Sequence, residues 1–268
     1  MISKIKLLLI LTLFIFVISC ADKEKKISEI VEVNIELQMS NAYKEGYIEL
    51  ERGDALLAAK KFNEAELLFP QSRWAAKSVL MAAYAYYSQG YYSDAIYELE
   101  RYLTTYPMHK DKPYAHFLLG MSFYETIVDE KKDLGSILDS KKQFEIVIKQ
   151  YPTTEFAIDA KFKIDLINEI QAGKEMYLAR YYLDKSKWIP ALNRYKKVVT
   201  KYDTTIYTEE ALHRLVEINF RLGLIEESKK YANILGYNYQ SSDWYKNTYK
   251  VFNKKYRVGI KELQKDKK

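Results

Sequence analysis

A chain of 268 residues with a single cysteine forms no intramolecular disulfide, so packing alone holds its fold. Five prolines and nine glycines leave long stretches in which nothing interrupts a helix. Alternation of apolar and polar residues is confined to Val31 to Ser40, and one such segment makes no sheet, so no half-buried sheet is expected. The three histidines fall in no HExxH pattern and no His/carboxylate cluster. His109 and His116 are separated by a proline-flanked loop, and His213, beside Arg214 on an amphipathic stretch, reads as a surface residue. No serine stands in a G-x-S-x-G context and no glycine-rich phosphate loop occurs. The formal charge of +6 is mild and spread along the chain, so nothing points to nucleic acid. No apolar run reaches the roughly 20 residues that span a bilayer as a helix.

The one apolar run that does occur is Leu7 to Ile18, preceded by Lys4 and Lys6. A basic start, a short greasy core and small residues make a secretory leader over 1–19. Val17-Ile18-Ser19-Cys20 looks like a bacterial lipobox, in which the thiol is lipidated and the bond before it is cut. The mature chain then begins at Cys20 and hangs from a membrane by acyl chains, of which stable anchoring takes at least two. Ala21, rather than Asp, follows the cysteine and favours the outer membrane over the inner one. Residues 20–40 read as the lipidated cysteine and a tether, because 22–40 open on a charge run and carry no clear helical period.

What remains is rich in Lys, Glu, Leu, Ala and Ile and holds 25 tyrosines, the composition of an all-α protein with aromatic-filled gaps between helices. Phe69-Pro70, Tyr106-Pro107 and Tyr151-Pro152 close three apolar helices, and Tyr202-Asp203 closes a fourth. Proline lacks an N–H and disfavours helix at the residue before it, so each helix stops there. Ser72, Thr154 and Thr205 follow as N-cap candidates. The spacing fits tetratricopeptide (TPR) units, whose basic length is about 34 residues, with insertions. Within 94–107, Ala95, Leu99, Tyr102, Leu103 and Tyr106 make one face; within 190–202, Ala191, Leu192, Tyr195, Val198, Val199 and Tyr202 do the same. Gly53, Gly90 and Gly223 mark the turns inside units.

The fold expected is therefore a TPR-like α-solenoid of about five helix pairs, over 41–69, 72–106, 112–151, 154–202 and 206–236. A capping helix over 242–257 presents Tyr245, Tyr249, Phe252 and Tyr256 on one face, since the last repeat must cover exposed core. Residues 126–140 form a polar insertion in the third pair. Residues 154–185 read as one long helix whose weak point is Gly173, worth about 1 kcal/mol against alanine. Trp74 packs unit two on unit one, and Trp244 docks the last helix. Residues 41–151 and 152–258 form two halves, and 259–268 a basic tail.

Residues 84–125 (YAYYSQGYYSDAIYELERYLTTYPMHKDKPYAHFLLGMSFYE), 143–167, 179–205 (ARYYLDKSKWIPALNRYKKVVTKYDTT) and 210–224 resemble the BamD family of outer-membrane assembly lipoproteins in order and spacing, over roughly 41–236. The lipobox agrees. The resemblance implies a non-enzymatic scaffold, lipid-anchored on the periplasmic face of the outer membrane. It implies binding to the POTRA domains of the barrel protein BamA, alongside other BAM-complex subunits, through the C-terminal repeats. The N-terminal repeats would receive unfolded outer-membrane β-barrel clients by an aromatic-ended C-terminal signal. No cofactor is expected beyond the lipid on Cys20.

The resemblance places Arg194, with Asn193 and Trp188, in the BamA-facing half. A guanidinium holds a carboxylate at two points, which lysine does not. Tyr102, Tyr106, Tyr151, Tyr195 and Tyr202 lie on packed stripes. Tyr84, Tyr86, Tyr87, Tyr91, Tyr92 and Tyr114 exceed what a core can hold. Tyr84, Tyr87 and Tyr114 are expected to line a client groove, where rigid rings supply contact area at low entropy cost, with Arg73, Lys77 or Lys110 attracting the client's terminal carboxylate. The competing reading is an envelope TPR lipoprotein that serves as adaptor for peptidoglycan enzymes or proteases. A TPR-shelled enzyme is disfavoured because no segment outside the repeats is long enough for a catalytic domain.

Overall fold

In a computed structural model the description covers residues 34–127 and 135–253. The leader, Cys20, most of the tether, the centre of the polar insertion, Tyr256 and the basic tail lie outside the described residues. Among the described residues there are eleven helices and no strand: α1 (Ile35–Glu51), α2 (Ala55–Leu68), α3 (Ala75–Ser88), α4 (Tyr92–Thr105), α5 (Lys112–Glu125), α6 (Gly135–Gln150), α7 (Glu155–Asp184), α8 (Trp188–Lys201), α9 (Thr208–Arg221), α10 (Ile225–Asn238) and α11 (Asp243–Phe252). From α1 to α10 each helix packs on the next in the chain, and α11 packs mainly on α9. This is the expected TPR-like stack of five helix pairs with a terminal helix over its open end.

The periodic faces are the buried faces. Ala95, Leu99 and Tyr102 of α4 are fully buried, as are Ala191, Tyr195 and Val198 of α8. Tyr202 is buried and Tyr106 and Tyr151 half-buried. The cores are shared between pairs: Ala172, Met176 and Ala179 of α7 meet α8 and also Leu215 and Ile218 of α9. Alanine is frequent in these seams because it lets helix backbones approach closely. Trp74 joins units one and two as expected, its ring 5.5 Å from that of Tyr43 on α1.

The chain departs from the sequence expectations at several points. α1 begins at Ile35, inside the stretch read as tether, because the Asn34 side chain accepts a bond from the Leu37 N–H at 3.1 Å and starts the helix there. The polar insertion ends sooner than expected: α6 begins at Gly135, and Ile137 and Ser140 are fully buried. Thr154 and Thr205 do not cap the following helices with their side chains. Their hydroxyls donate backwards to the carbonyls of Tyr151 and Tyr202, at 2.8 and 2.7 Å, and so cap the ends of α6 and α8. The Ser72 hydroxyl is buried without a partner.

Gly173 is not a weak point in α7, which runs unbroken for 30 residues. A Cβ there would stand 3.1 Å from the hydroxyl of Tyr207, so the missing side chain lets the α8–α9 turn close on α7. Gly53, Gly90 and Gly223 hold positive φ at the turns, as expected. The α7–α8 turn repeats that geometry with Ser186, at φ 56°. A non-glycine residue in this region carries a strain of about 1 kcal/mol. Ser186→Gly is therefore expected to stabilise the fold by about 0.5–1 kcal/mol, read as a rise in the urea midpoint at constant slope.

His213 is not on the surface. It is 4% exposed, with its Nδ1 2.8 Å from the Thr248 hydroxyl of α11 and its ring 5.3 Å from that of Trp244, which docks the helix as expected. Thr248 and Val251 form the buried face of α11, whereas Tyr249 is 70% exposed and does not belong to it. Burial holds the His213 pKa below the usual imidazole value, against the pull of Glu217 and Glu210 and with help from Arg214. The unfolded chain then takes up a proton below about pH 6.5 that the docked state resists. Stability at this seam is present above pH 6.5 and lost as the pH falls toward the depressed folded value. The protection factors of α11 amides, that is, exchange corrected for the intrinsic rate at each pH, are expected to fall between pH 7.5 and 5.5, and His213→Gln to flatten that dependence.

Candidate functional site: a tyrosine-lined groove and an arginine face

Lys77, Leu80, Met81 and Tyr84 recur at i, i+3, i+4, i+7 and share one face of α3. They line a groove of about 500 Å³ whose other walls are Lys110, Asp111, Pro113 and Tyr114 at the start of α5 and Thr154 and Phe156 at the start of α7. The groove thus spans three successive pairs. Tyr84 is 39% exposed. The Tyr114 ring packs at a tilt 5.4 Å from that of Phe156, and burial pushes its phenol up to about 12. Tyr87 stands behind the wall, its ring 5.7 Å from Tyr92, and its phenol is raised by burial first and by Glu125 second. Lys77 reaches over the Trp74 ring at 5.1 Å, and Arg73 over the same ring at 5.7 Å. The fold brings Tyr84, Tyr114, Lys77 and Lys110 to one groove, with Arg73 beside it on Trp74.

Such a groove offers apolar walls, phenol hydroxyls and two ammonium groups against a single carboxylate, Asp111. It fits an extended segment with aromatic side chains and a negative end. The two nearby histidines do not line it: His109 points to the Tyr102 hydroxyl at 2.8 Å, and His116 to Gln143 at 2.9 Å.

In the C-terminal half, Arg194 reaches from α8 to Glu175 of α7, 2.9 Å away. Lys197, one turn on, holds the other oxygen of the same carboxylate. The Glu175 side chain is 8% exposed and that of Arg194 38%. Burial opposes the Glu175 charge, but the Lys197 ammonium and the Arg194 guanidinium outweigh it and keep its pKa below the usual carboxylate range. Arg194 is thus oriented by one of its donors while others remain toward solvent. Asn193 is exposed beside it. Trp188 turns elsewhere: it packs on the α7–α9 core, and the Arg221 guanidinium lies 5.2 Å over its ring. Arg194 and Trp188 therefore address different neighbours. Sequence reasoning missed Glu175. The only local signal was two cations one turn apart on α8, which require an anion on the facing helix.

Comparison with known proteins returns a consistent picture. The family described as YfiO, outer membrane lipoprotein, matches residues 35–235, from α1 into α10. The outer membrane protein assembly factor BamD of Caulobacter vibrioides is 37% identical over 237 residues, covering 88% of this chain and 77% of that one. BamD of Rickettsia prowazekii is 38% identical over 213 residues, 80% of this chain and 85% of that one. BamD of Neisseria gonorrhoeae is 29% identical over 222 residues, covering 77% and 81%. The matched span holds every helix that builds the groove and the arginine face, and on that span the chain belongs to the YfiO family of outer membrane lipoproteins, the family of the outer membrane protein assembly factor BamD.

Proposed function

We propose that the chain is a non-enzymatic scaffold of the β-barrel assembly machinery, held by lipid on Cys20 at the periplasmic face of the outer membrane. Its N-terminal pairs take the C-terminal signals of unfolded barrel proteins in the α3–α5–α7 groove. Its C-terminal pairs bind the POTRA domains of BamA, with Arg194 clamping a carboxylate. The observation that carries this reading is the joint one: an assembly-factor family whose matched span includes a basic, tyrosine-lined groove in one half and an oriented, half-exposed arginine in the other. The uninterrupted α7 connects the two halves and gives them one rigid spine.

Arg194 is tested against its own neighbour. Arg194→Ala is expected to weaken binding to the purified periplasmic part of BamA at least tenfold. Lys197→Ala, which removes the other cation from Glu175, leaves that affinity within twofold. Each change lowers stability by about 1 kcal/mol, because Glu175 keeps one partner. Arg194→Lys does not restore binding, since an ammonium does not reproduce the two-point fork. Equal losses for Arg194→Ala and Lys197→Ala would assign Arg194 to the fold alone.

A further inference from the structure

The first half of α7 packs on α5 and α6 with one side and leaves the other open. Ile158, Phe162 and Leu166, at i, i+4 and i+8, are 58, 65 and 47% exposed. The helix phase puts Asp165 and Glu169 on the same face, and Asp159 beside it. The face ends at the α8–α9 turn, where Ile206 is 79% exposed. There Glu169, Ile170, Gly173, Ile206 and Tyr207 line an open pocket of about 370 Å³. One oxygen of Glu169 accepts from the Ile206 N–H at 3.1 Å, and the other is buried and makes no hydrogen bond. A carboxylate oxygen buried without a donor is destabilised, and a side-chain rotation that brings it to a cation relieves that cost. The ledge is therefore apolar along its length and short of a cation at its foot.

We propose that this ledge is a second docking surface, for a polypeptide segment of a partner that presents aliphatic or aromatic side chains around one Lys or Arg. The apolar side chains cover Ile158, Phe162, Leu166 and Ile206, and the cation enters the pocket and pairs with Glu169, whose unpartnered oxygen turns outward to meet it. Charge decides among occupants. Asp159 and Asp165 are exposed along the ledge, so an anionic lipid surface is repelled. A second copy presenting the same ledge brings further carboxylates to it. The site lies away from the tyrosine groove, on the opposite side of α7 from Phe156. The inference rests on the scaffold reading only in taking the occupant to be a protein partner.

A photo-crosslinking amino acid at position 162, in the full lipidated chain in its own membrane, tests it. The expected adduct is a polypeptide segment whose sequence carries apolar residues around a Lys or Arg. Glu169→Gln is expected to reduce its yield at least fivefold while crosslinking from position 84 is unchanged. If Glu169→Gln does not fold, judged by its circular dichroism melt, Asp159→Asn with Asp165→Asn on exposed positions gives the same direction of change. Adducts to lipid, to a second copy or to a segment without a basic residue overturn the proposal, as does a yield insensitive to these substitutions. Loss of crosslinking from position 84 alone counts against the groove and not against the ledge.

Discussion

Arg101→Ala is expected to destabilise the fold by about 3 kcal/mol, the low end of what breaking a buried ion pair costs. Arg101 of α4 sits among buried acids. It reaches Glu66 of α2 at 2.8 Å and Glu98 of its own helix at 2.8 Å, and donates to Asn63 at 3.1 Å. The Asn63 amide donates to Glu98 at 2.8 Å, and the Tyr106 hydroxyl to Glu66 at 2.7 Å. The Glu66 and Glu98 side chains are 8 and 7% exposed, that of Arg101 29%. Removing the guanidinium strands two carboxylates with one neutral donor each. The partial exposure of Arg101 lets water screen some of that loss, which sets the lower figure.

The network ties the second helix of pair one to that of pair two. In a stack whose stability is a sum over neighbouring interfaces, its loss uncouples the first pair before the rest. Urea unfolding is expected to broaden, and hydrogen exchange to quicken first in α1 and α2. Glu66→Gln with Glu98→Gln in the Arg101→Ala background should recover at least half of the loss, because neutral amides are cheaper to bury. A loss below about 1 kcal/mol would mean that the carboxylates are hydrated and the staple is ornamental.

Cys20→Ser is expected to release the chain from the membrane completely. Each buried methylene of an acyl chain contributes about 0.8 kcal/mol to anchoring, and one myristoyl-sized chain alone holds only marginally. Among the described residues no helix is long and apolar enough to cross a membrane, and the apolar run from Leu7 to Ile18 is short of the roughly 20 residues a span needs. Membranes washed at high pH to strip peripheral proteins should retain the native chain and lose the serine variant. A variant that stays in the washed pellet would place the anchor elsewhere.

The helix pairs were legible because their signals are local. The faces of α4 and α8 could be read from spacing, the turns from Gly53, Gly90 and Gly223, and the long α7 from the lack of any stop. Tyr84 and Tyr114 could be singled out because the chain holds more rings than its core takes, but that they and Lys77 line one groove depends on how α3, α5 and α7 meet. What escaped depends on residues far apart in the chain. Arg101 finds Glu66 35 positions away, His213 finds Thr248 at the same separation, and Arg194 finds Glu175 19 positions away. No periodicity encodes such pairings. Ser186 escaped for the opposite reason: its turn is local, but serine carries no mark of positive φ. The backward caps at Thr154 and Thr205 could not be told from forward ones, since the same hydroxyl serves either helix end.

The central claim is that this chain works by gripping the barrel-assembly machinery. Affinity purification of the tagged, lipidated chain from detergent-solubilised membranes tests it most directly. The account predicts that a β-barrel protein with POTRA domains co-elutes in near-stoichiometric amount and is lost with Arg194→Ala. Co-elution of peptidoglycan hydrolases or proteases with no POTRA-bearing barrel would contradict it.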